Sequence, residues 1–430
     1  MMTKPANILF LFVLAAVTAG AAAPGTAEAA AKHHKKRLLV TFREGTALAE
    51  RQQAARDMGL KITGDFDSIS VSVLEAAGDV APQEVTKARS HPSVVTVEED
   101  VYRNWLLESP ASFQSTPFPS VEGTLSILAK PRRSPAPAPA PSPDPSLGGD
   151  ASSASGNIPW GVSRVNAPAA WSSGQGAGVK VAVIDTGIDC THPDLRCDFG
   201  SGTNIVNPGA DPMDDNEHGT HVAGTIAGRG NGGPLGVAPK ATLIPVKVLD
   251  AEGSGSLSDI VAGINWASRA GVDVINMSLG GPNGSAALQR AVSQALASGV
   301  VIVAAAGNSG PNPDTVGFPG GYPGVIAVAA SDKNDQVASF SSRGDAVAFI
   351  APGVAITSTI PGGGTKSLSG TSMASPHVAG LAALALERGA RGPSGVRAAF
   401  SSAASKLCSA STCLAPTAEG AGMIDAAKLR

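Results

Sequence analysis

Gly178-Val-Lys-Val-Ala-Val-Ile-Asp-Thr-Gly187 decides how this chain folds. Its apolar run is nearly continuous instead of alternating, which marks a strand buried on both faces of a parallel sheet. Similar runs follow at Thr242 to Val248, Val272 to Met277, Val300 to Ala305 and Val325 to Ala329, with helical patterns at Ser258 to Arg269 and Ala286 to Ser298 between them. Strand and helix alternating over short turns predict a doubly wound α/β fold, whose function collects at the carboxyl ends of strands. Asp185 stands at such an end, where a carboxylate either caps a turn or serves chemistry.

Upstream the pattern changes. Arg37 to Arg43, Lys61 to Phe66, Ser68 to Leu74 and Val94 to Glu98 read as strands, with helices over Ala47 to Met58 and from Pro82. The order β-α-β-β-α-β is a small α+β, ferredoxin-like arrangement. Residues 108–156 form a Pro-rich linker around Pro135-Ala-Pro-Ala-Pro-Ala-Pro-Ser-Pro-Asp-Pro145, an extended spacer and a place for proteolytic nicking. Lys4, the apolar stretch Ile8 to Val17 and an A-x-A site at Ala27-Glu28-Ala29 or Ala19-Gly20-Ala21 read as a signal peptide over residues 1–29. That run is too short to cross a bilayer, and no other stretch has transmembrane length, so a secreted product is expected.

Composition excludes other classes. The 430 residues carry a formal net charge of -3 with dispersed basic residues, so nucleic acid is not an expected partner. Aromatics make up 4% while Gly numbers 51 and Pro 32, so the core must be built from Ala, Val, Ile and Leu with many tight turns. Cys190, Cys197, Cys408 and Cys413 form two local couples without C-x-x-C spacing or a histidine cluster. In an oxidising compartment they read as short-loop disulfides sooner than as a zinc site.

The polar residues at strand ends and helix starts carry the chemistry. His218 opens His218-Gly-Thr-His-Val-Ala-Gly224; no Glu lies between its histidines and no third ligand is evident, which disfavours zinc and suits His218 to general base work. His221, one turn on, reads as structural. Asn308 ends Ala304-Ala-Ala-Gly-Asn308 and either shapes a turn or donates to an oxyanion. Ser372, in Gly370-Thr-Ser-Met-Ala-Ser-Pro-His-Val-Ala-Gly380, is either a helix cap or a nucleophile at a helix N-terminus. The order Asp, His, Ser differs from that of α/β-hydrolases, where the serine comes first. Asp185-Thr-Gly187 also matches one motif of pepsin-like aspartic proteases, but a second copy and their all-β lobes are missing.

The three blocks at Val183–Gly187, His218–Gly224 and Gly370–Gly380 together resemble the signature motifs of subtilisin-like serine proteases, and the likeness runs over nearly all of residues 158–430. The resemblance implies a peptidase domain over 157–430 with Asp185, His218 and Ser372 as triad and Asn308 as oxyanion donor. It further implies cleft edges at Gly253-Ser254-Gly255 and Ser278-Leu279-Gly280. A primary pocket would be walled by Ala304, Ala305, Ala306 and Gly307 and floored by Gly317. With Ser309 where many members carry glutamate, a large apolar side chain is expected there. Residues 36–107 would be an inhibitor and chaperone prodomain whose tail, Tyr102 to Leu107, lies in the cleft. The linker departs from the family, in which the prodomain ends close to the mature N-terminus.

Asp194 matches a family calcium ligand, but the partner loop Arg229 to Leu235 is one residue shorter and lacks a second carboxylate, and a Cys190–Cys197 disulfide would staple the same turn. The expected protein is thus a secreted, monomeric endopeptidase of polypeptide substrates, made as a zymogen, inhibited by its own propeptide and needing no cofactor for chemistry, with Asp194 as the one candidate ligand for a structural calcium whose presence the sequence leaves open. The alternatives are a secreted binding protein on an inactive protease scaffold and an esterase-like hydrolase.

Overall fold

Among the described residues, the two largest sheets each carry apolar side chains on both faces and organise the fold. The computed structural model describes residues 36–78, 80–106, 157–407 and 416–429. The expected signal peptide, linker and Cys408–Cys413 couple, with Leu107 of the tail, lie outside the described residues.

In the N-terminal layer, β1 (Arg37–Phe42), α1 (Leu48–Met58), β2 (Lys61–Phe66), β3 (Val71–Glu75), α2 (Pro82–Ser90) and β4 (Val94–Glu99) form a four-stranded antiparallel sheet of order β2-β3-β1-β4 with two helices. Leu38, Val40 and Phe42 pack with Ala54, Ala55 and Met58 of α1. Leu39, Val71 and Val73 on the opposite face join a second core shared with the larger domain. The third strand starts later than the Ser68 to Leu74 pattern indicates. Asp67–Ile69 form a 3-10 turn closed by Ser70 N–H donating to Asp67 O, and Ser70 is left-handed at φ 51, so pairing begins at Val71. Past this layer a short strand β5 (Tyr102–Asn104) leaves the domain.

The larger domain opens with short helices α3 (Trp160–Arg164) and α4 (Ala167–Ala170). Then come β6 (Lys180–Asp185), β7 (Thr203–Asn204), α5 (His218–Ala227), β8 (Thr242–Lys247), β9 (Ser254–Ser256), α6 (Leu257–Arg269), β10 (Val274–Met277), α7 (Ala286–Ala297), β11 (Val301–Ala305), β12 (Ile326–Ser331) and β13 (Val347–Pro352). The hairpin β14 (Ile356–Ile360) and β15 (Gly364–Leu368) precedes α8 (Thr371–Glu387) and α9 (Gly392–Ala403). A seven-stranded parallel sheet runs β13-β12-β11-β10-β6-β8-β7. Val181, Val183, Val301 and Val303 face α5 and α8, while Ala182, Ile184, Ile275 and Ile302 face α6 and α7. The chain is thus the α/β fold its apolar runs indicate. The edge strand β13 is not among those runs, because Val347-Ala-Phe-Ile350 is short and lies in a Gly- and Ser-rich stretch.

The two layers join through carboxylates at helix N-termini, where unsatisfied N–H groups and the helix dipole attract negative charge. Glu98 accepts from the N–H groups of Ala286 and Ala287 at 2.9 and 3.0 Å, opening α7. Asp100 accepts from the Ser258 N–H and hydroxyl, both at 2.7 Å, in the first turn of α6, and pairs with Arg37 at 2.6 Å.

Cys190 and Cys197 form a disulfide seven residues apart, with Cα atoms at 5.2 Å. Replacing both by serine is expected to lower stability by about 2–3 kcal/mol through regained unfolded-chain entropy. Denaturant unfolding of the Ser372→Ala protein, with and without the double change, measures this.

Candidate active site

Asp185 ends β6 with no exposure, between two neighbouring strands. Val248 and Leu249 N–H groups donate to its backbone carbonyl, fixing the strand end against the chain beyond β8. Its carboxylate Oδ1 accepts from the Thr186 N–H at 2.8 Å and from His218 Nδ1 at 2.8 Å. His218 is the first residue of α5, so the helix start aims the ring at the strand end. Burial draws the His218 pKa down, but the Asp185 charge and hydrogen bond, with Asp214 and Glu217 nearby, outweigh it and the net direction is up.

Ser372 occupies the first turn of α8 and shares a cleft of about 230 Å³ with His218 and Asn308. Its hydroxyl donates to Ser278 O at 3.0 Å, and Ser278 Oγ donates back to Ser372 O at 2.8 Å. Pro376 explains the second bond. A residue with an N–H at that position would claim the Ser372 carbonyl in the helix ladder, and proline leaves it to Ser278. The hydroxyl is turned to Ser278, and the contact of a nucleophile with its base is often loose until substrate binds. Asn308 Oδ1 accepts from the N–H and hydroxyl of Thr371 at 2.9 and 3.0 Å. With the oxygen so engaged, the orientation of the amide is set, and its nitrogen is the donor end at the cleft that Asn308 lines.

His221 and His377 serve structure. His221 Nε2 donates to the Ile356 and Lys366 carbonyls at 2.9 and 3.1 Å, fastening the β14–β15 hairpin to α5. His377 Nδ1 donates to Met373 O at 2.8 Å with no exposure. Burial pushes both down to about 4.

The remaining expected site residues fall as follows. Gly253, Ser254 and Gly255 lie on an edge against which β5 pairs antiparallel, Arg103 opposite Gly255 and Asn104 opposite Ser254. Trp105 N–H donates to Gly253 O at 3.0 Å, and Gly280 N–H donates to Trp105 O at 3.2 Å, so the segment runs between both edges. Trp105 is buried, with Nε1 donating to Gly255 O at 2.9 Å, and belongs to the same core cluster as Leu257 and Leu279. Leu106 lines the cleft with Ser372. Ala304 and Ala306 are fully buried, one in each core, with Ala305 between them at the strand end. Gly307 is left-handed at φ 111, and Gly317 N–H donates to Ala306 O at 2.9 Å.

Asp194 has one carboxylate oxygen held by the Asn231 N–H and the other buried without a partner, beside Gly233. Calcium takes six to eight oxygens. Among the described residues no group of three or more His, Cys, Asp or Glu gathers there, and an N–H aimed at the carboxylate opposes a cation. These residues do not fit a calcium cage.

Sequence reasoning missed Thr371, Ser375 and Leu368. Ser375 meets Ser278 at 2.8 Å behind the nucleophile, and Leu368 lines the cleft. Thr371 and Ser375 stand inside the Gly370–Gly380 motif, but only the packing of α8 shows what they touch.

The family model described as the subtilase family matches residues 176–417. The chain belongs to the subtilase family. It is 39% identical over 397 residues to subtilisin E of Bacillus subtilis (strain 168), covering 90% of each chain. It is 53% identical over 237 residues to subtilisin of Bacillus pumilus, covering 54% of this chain and 86% of that one. Subtilisin Savinase of Lederbergia lenta is 52% identical over 234 residues, covering 54% and 85%. This subtilase is accordingly a serine-type endopeptidase, a hydrolase acting on polypeptides. No helix among the described residues is long and apolar enough to cross a membrane.

The buried histidines set a pH dependence. Unfolded, each takes up a proton near pH 6.5; folded, His221 and His377 do so only near 4. The unfolded chain therefore binds more protons in between, and stability is expected to fall as pH drops from about 6.5 toward 4. Denaturant midpoints of the Ser372→Ala protein across this range should show the loss, and His377→Gln should flatten its slope.

Proposed function

We propose that this subtilase is a secreted endopeptidase, made as a zymogen, that cleaves peptide bonds with Asp185, His218 and Ser372. The observation that carries the reading is the 2.8 Å contact from His218 Nδ1 to the buried Asp185, with Ser372 across the same cleft. Asp185 holds the imidazole in the tautomer whose Nε2 accepts the Ser372 proton, and it stabilises the imidazolium that results. Ser372 Oγ attacks the scissile carbonyl. The Asn308 amide and the Ser372 backbone N–H, at the positive end of α8, receive the oxyanion. His218 returns its proton to the leaving amine, and water then repeats the sequence on the acyl-enzyme. None of these steps draws on a cofactor.

Residues 36–107 act as the inhibitor. Three kinds of contact support this: the Glu98 and Asp100 caps, the β5–β9 pairing, and Leu106 beside Ser372. The tail approaches the serine as an added strand, the way a substrate backbone would. Cleavage between Trp105 and Ile158 would then release the enzyme.

Ser372→Ala is expected to stay full-length, while wild type releases its N-terminal part, takes a fluorophosphonate label and digests casein. Failure of wild type in all three would leave an inactive scaffold that binds. Asn308→Ala should lower kcat by about 10²–10³-fold, the magnitude known for the oxyanion-hole asparagine of subtilisin itself. Steady-state kinetics on a peptide substrate measures it.

For specificity, Ala304 to Gly307 and Gly317 wall a pocket suited to large apolar side chains. Cleavage of a peptide library should favour Phe, Tyr, Leu or Met before the scissile bond. Dominance there of Lys, Arg or acidic residues would refute the assignment.

A further inference from the structure

Four residues before His218 stands a carboxylate that takes no part in the acyl transfer. Asp214 is 3% exposed. Its Oδ1 accepts from the Thr186 hydroxyl at 2.8 Å and from the Asn216 and Glu217 N–H groups at 3.0 and 3.1 Å. Its Oδ2 accepts from the Thr220 N–H and hydroxyl at 2.8 and 2.5 Å. One buried carboxylate thus ties the end of β6 to the loop before α5 and to the first turn of α5 itself. A buried carboxylate is tolerated only when so satisfied, and the bonds that satisfy it also fix its neighbours.

Thr186 is where that hold acts on the chemistry. Its hydroxyl, while donating to Asp214, accepts from the Gly219 N–H at 2.9 Å, next to His218. Its carbonyl accepts from the buried Lys247 Nζ at 2.7 Å, and Lys247 in turn pairs with Asp215 at 2.6 Å. Its N–H donates to Asp185 Oδ1, the oxygen that also accepts from His218 Nδ1. A displacement of Thr186 therefore moves the acceptor of the His218 bond. We propose that Asp214 is the positioning residue of the catalytic pair: by locking Thr186 to the first turn of α5, it sets Asp185 and His218 against each other.

Asp214 also bears on the charge of the imidazole. The ionisable groups around His218 are Asp185 from β6, Asp214 and Glu217 from the preceding loop, and His221 from α5. Lys366 of β15 pairs with Glu217 at 2.5 Å, and Lys247 of β8 pairs with Asp215. Asp214 has hydrogen-bond donors but no ion pair among the described residues, and its charge favours the imidazolium after that of Asp185.

This inference rests on the Asp185–His218–Ser372 reading, which the Ser372→Ala experiment tests separately. Mature enzyme is prepared from the full chain as wild type, Asp214→Asn, Thr186→Val and Thr186→Ser, and active sites are titrated with a fluorophosphonate. Asp214→Asn is expected to lower kcat per titrated site by about 10- to 100-fold, the scale of groups that orient reacting ones, and to leave KM within about twofold. It should also move the acid limb of kcat/KM to lower pH, because a negative charge that favours imidazolium is gone. Thr186→Val should lower kcat comparably without moving that limb, and Thr186→Ser should restore it. Wild-type kcat and acid limb in Asp214→Asn, or a loss confined to the titratable fraction, would overturn the proposal. If Asp214→Asn yields no folded enzyme, Thr186→Val decides: a wild-type kcat there overturns it equally. Inactive Ser372→Ala beside an unaffected Asp214→Asn would reject this inference alone, whereas activity in Ser372→Ala would reject the triad.

Discussion

A carboxylate with no exposure constrains everything around it. Asp185 sits where β6 runs out, and a buried charge that is not hydrogen-bonded or paired is several kcal/mol unfavourable. The Thr186 N–H and the His218 ring meet that demand at Oδ1, while Oδ2 is buried without a protein partner. The demand propagates outward: His218 must stand at the start of α5, α5 must lie across the sheet, and Thr186 must keep its N–H on the acid. The mechanism proposed for the enzyme uses the same contacts that make the buried charge tolerable.

Helix starts recur as the points where this fold binds negative charge. The first turn of α8 carries Ser372, where an oxyanion would develop. The N-termini of α7 and α6 receive Glu98 and Asp100 of the N-terminal layer. The same backbone property would thus serve the transient charge of the proposed mechanism as it serves two permanent ones. Once those caps are made, the chain after Asp100 has little choice of direction, and β5 pairs along β9 toward the cleft.

Around Asp194 the family's habits and this chain's residues part. The turn is held by the Cys190–Cys197 disulfide, and the Asp194 carboxylate is met by an N–H from the shorter loop. A covalent link across this turn needs no ion.

By itself the sequence determined the layers and the chemistry-bearing motifs. Runs such as Val181 to Ile184 are apolar on both faces because both faces are buried, and that is visible residue by residue. The blocks holding Asp185, His218 and Ser372 were equally legible, since each needs its residues at fixed local spacing. Tertiary structure decided what joins them. Asp214 and Thr186 are 28 positions apart, and Ser278 and Ser372 94, so neither bond leaves a periodic trace in the chain. The start of β3 is also hidden from the sequence, because Ser68 to Leu74 alternates like a strand while Ser70 turns left-handed to close a tight bend. Alternation records which faces are apolar; the hydrogen bonds that fix a turn, or that hold a buried carboxylate, depend on partners that only folding brings within about 3 Å.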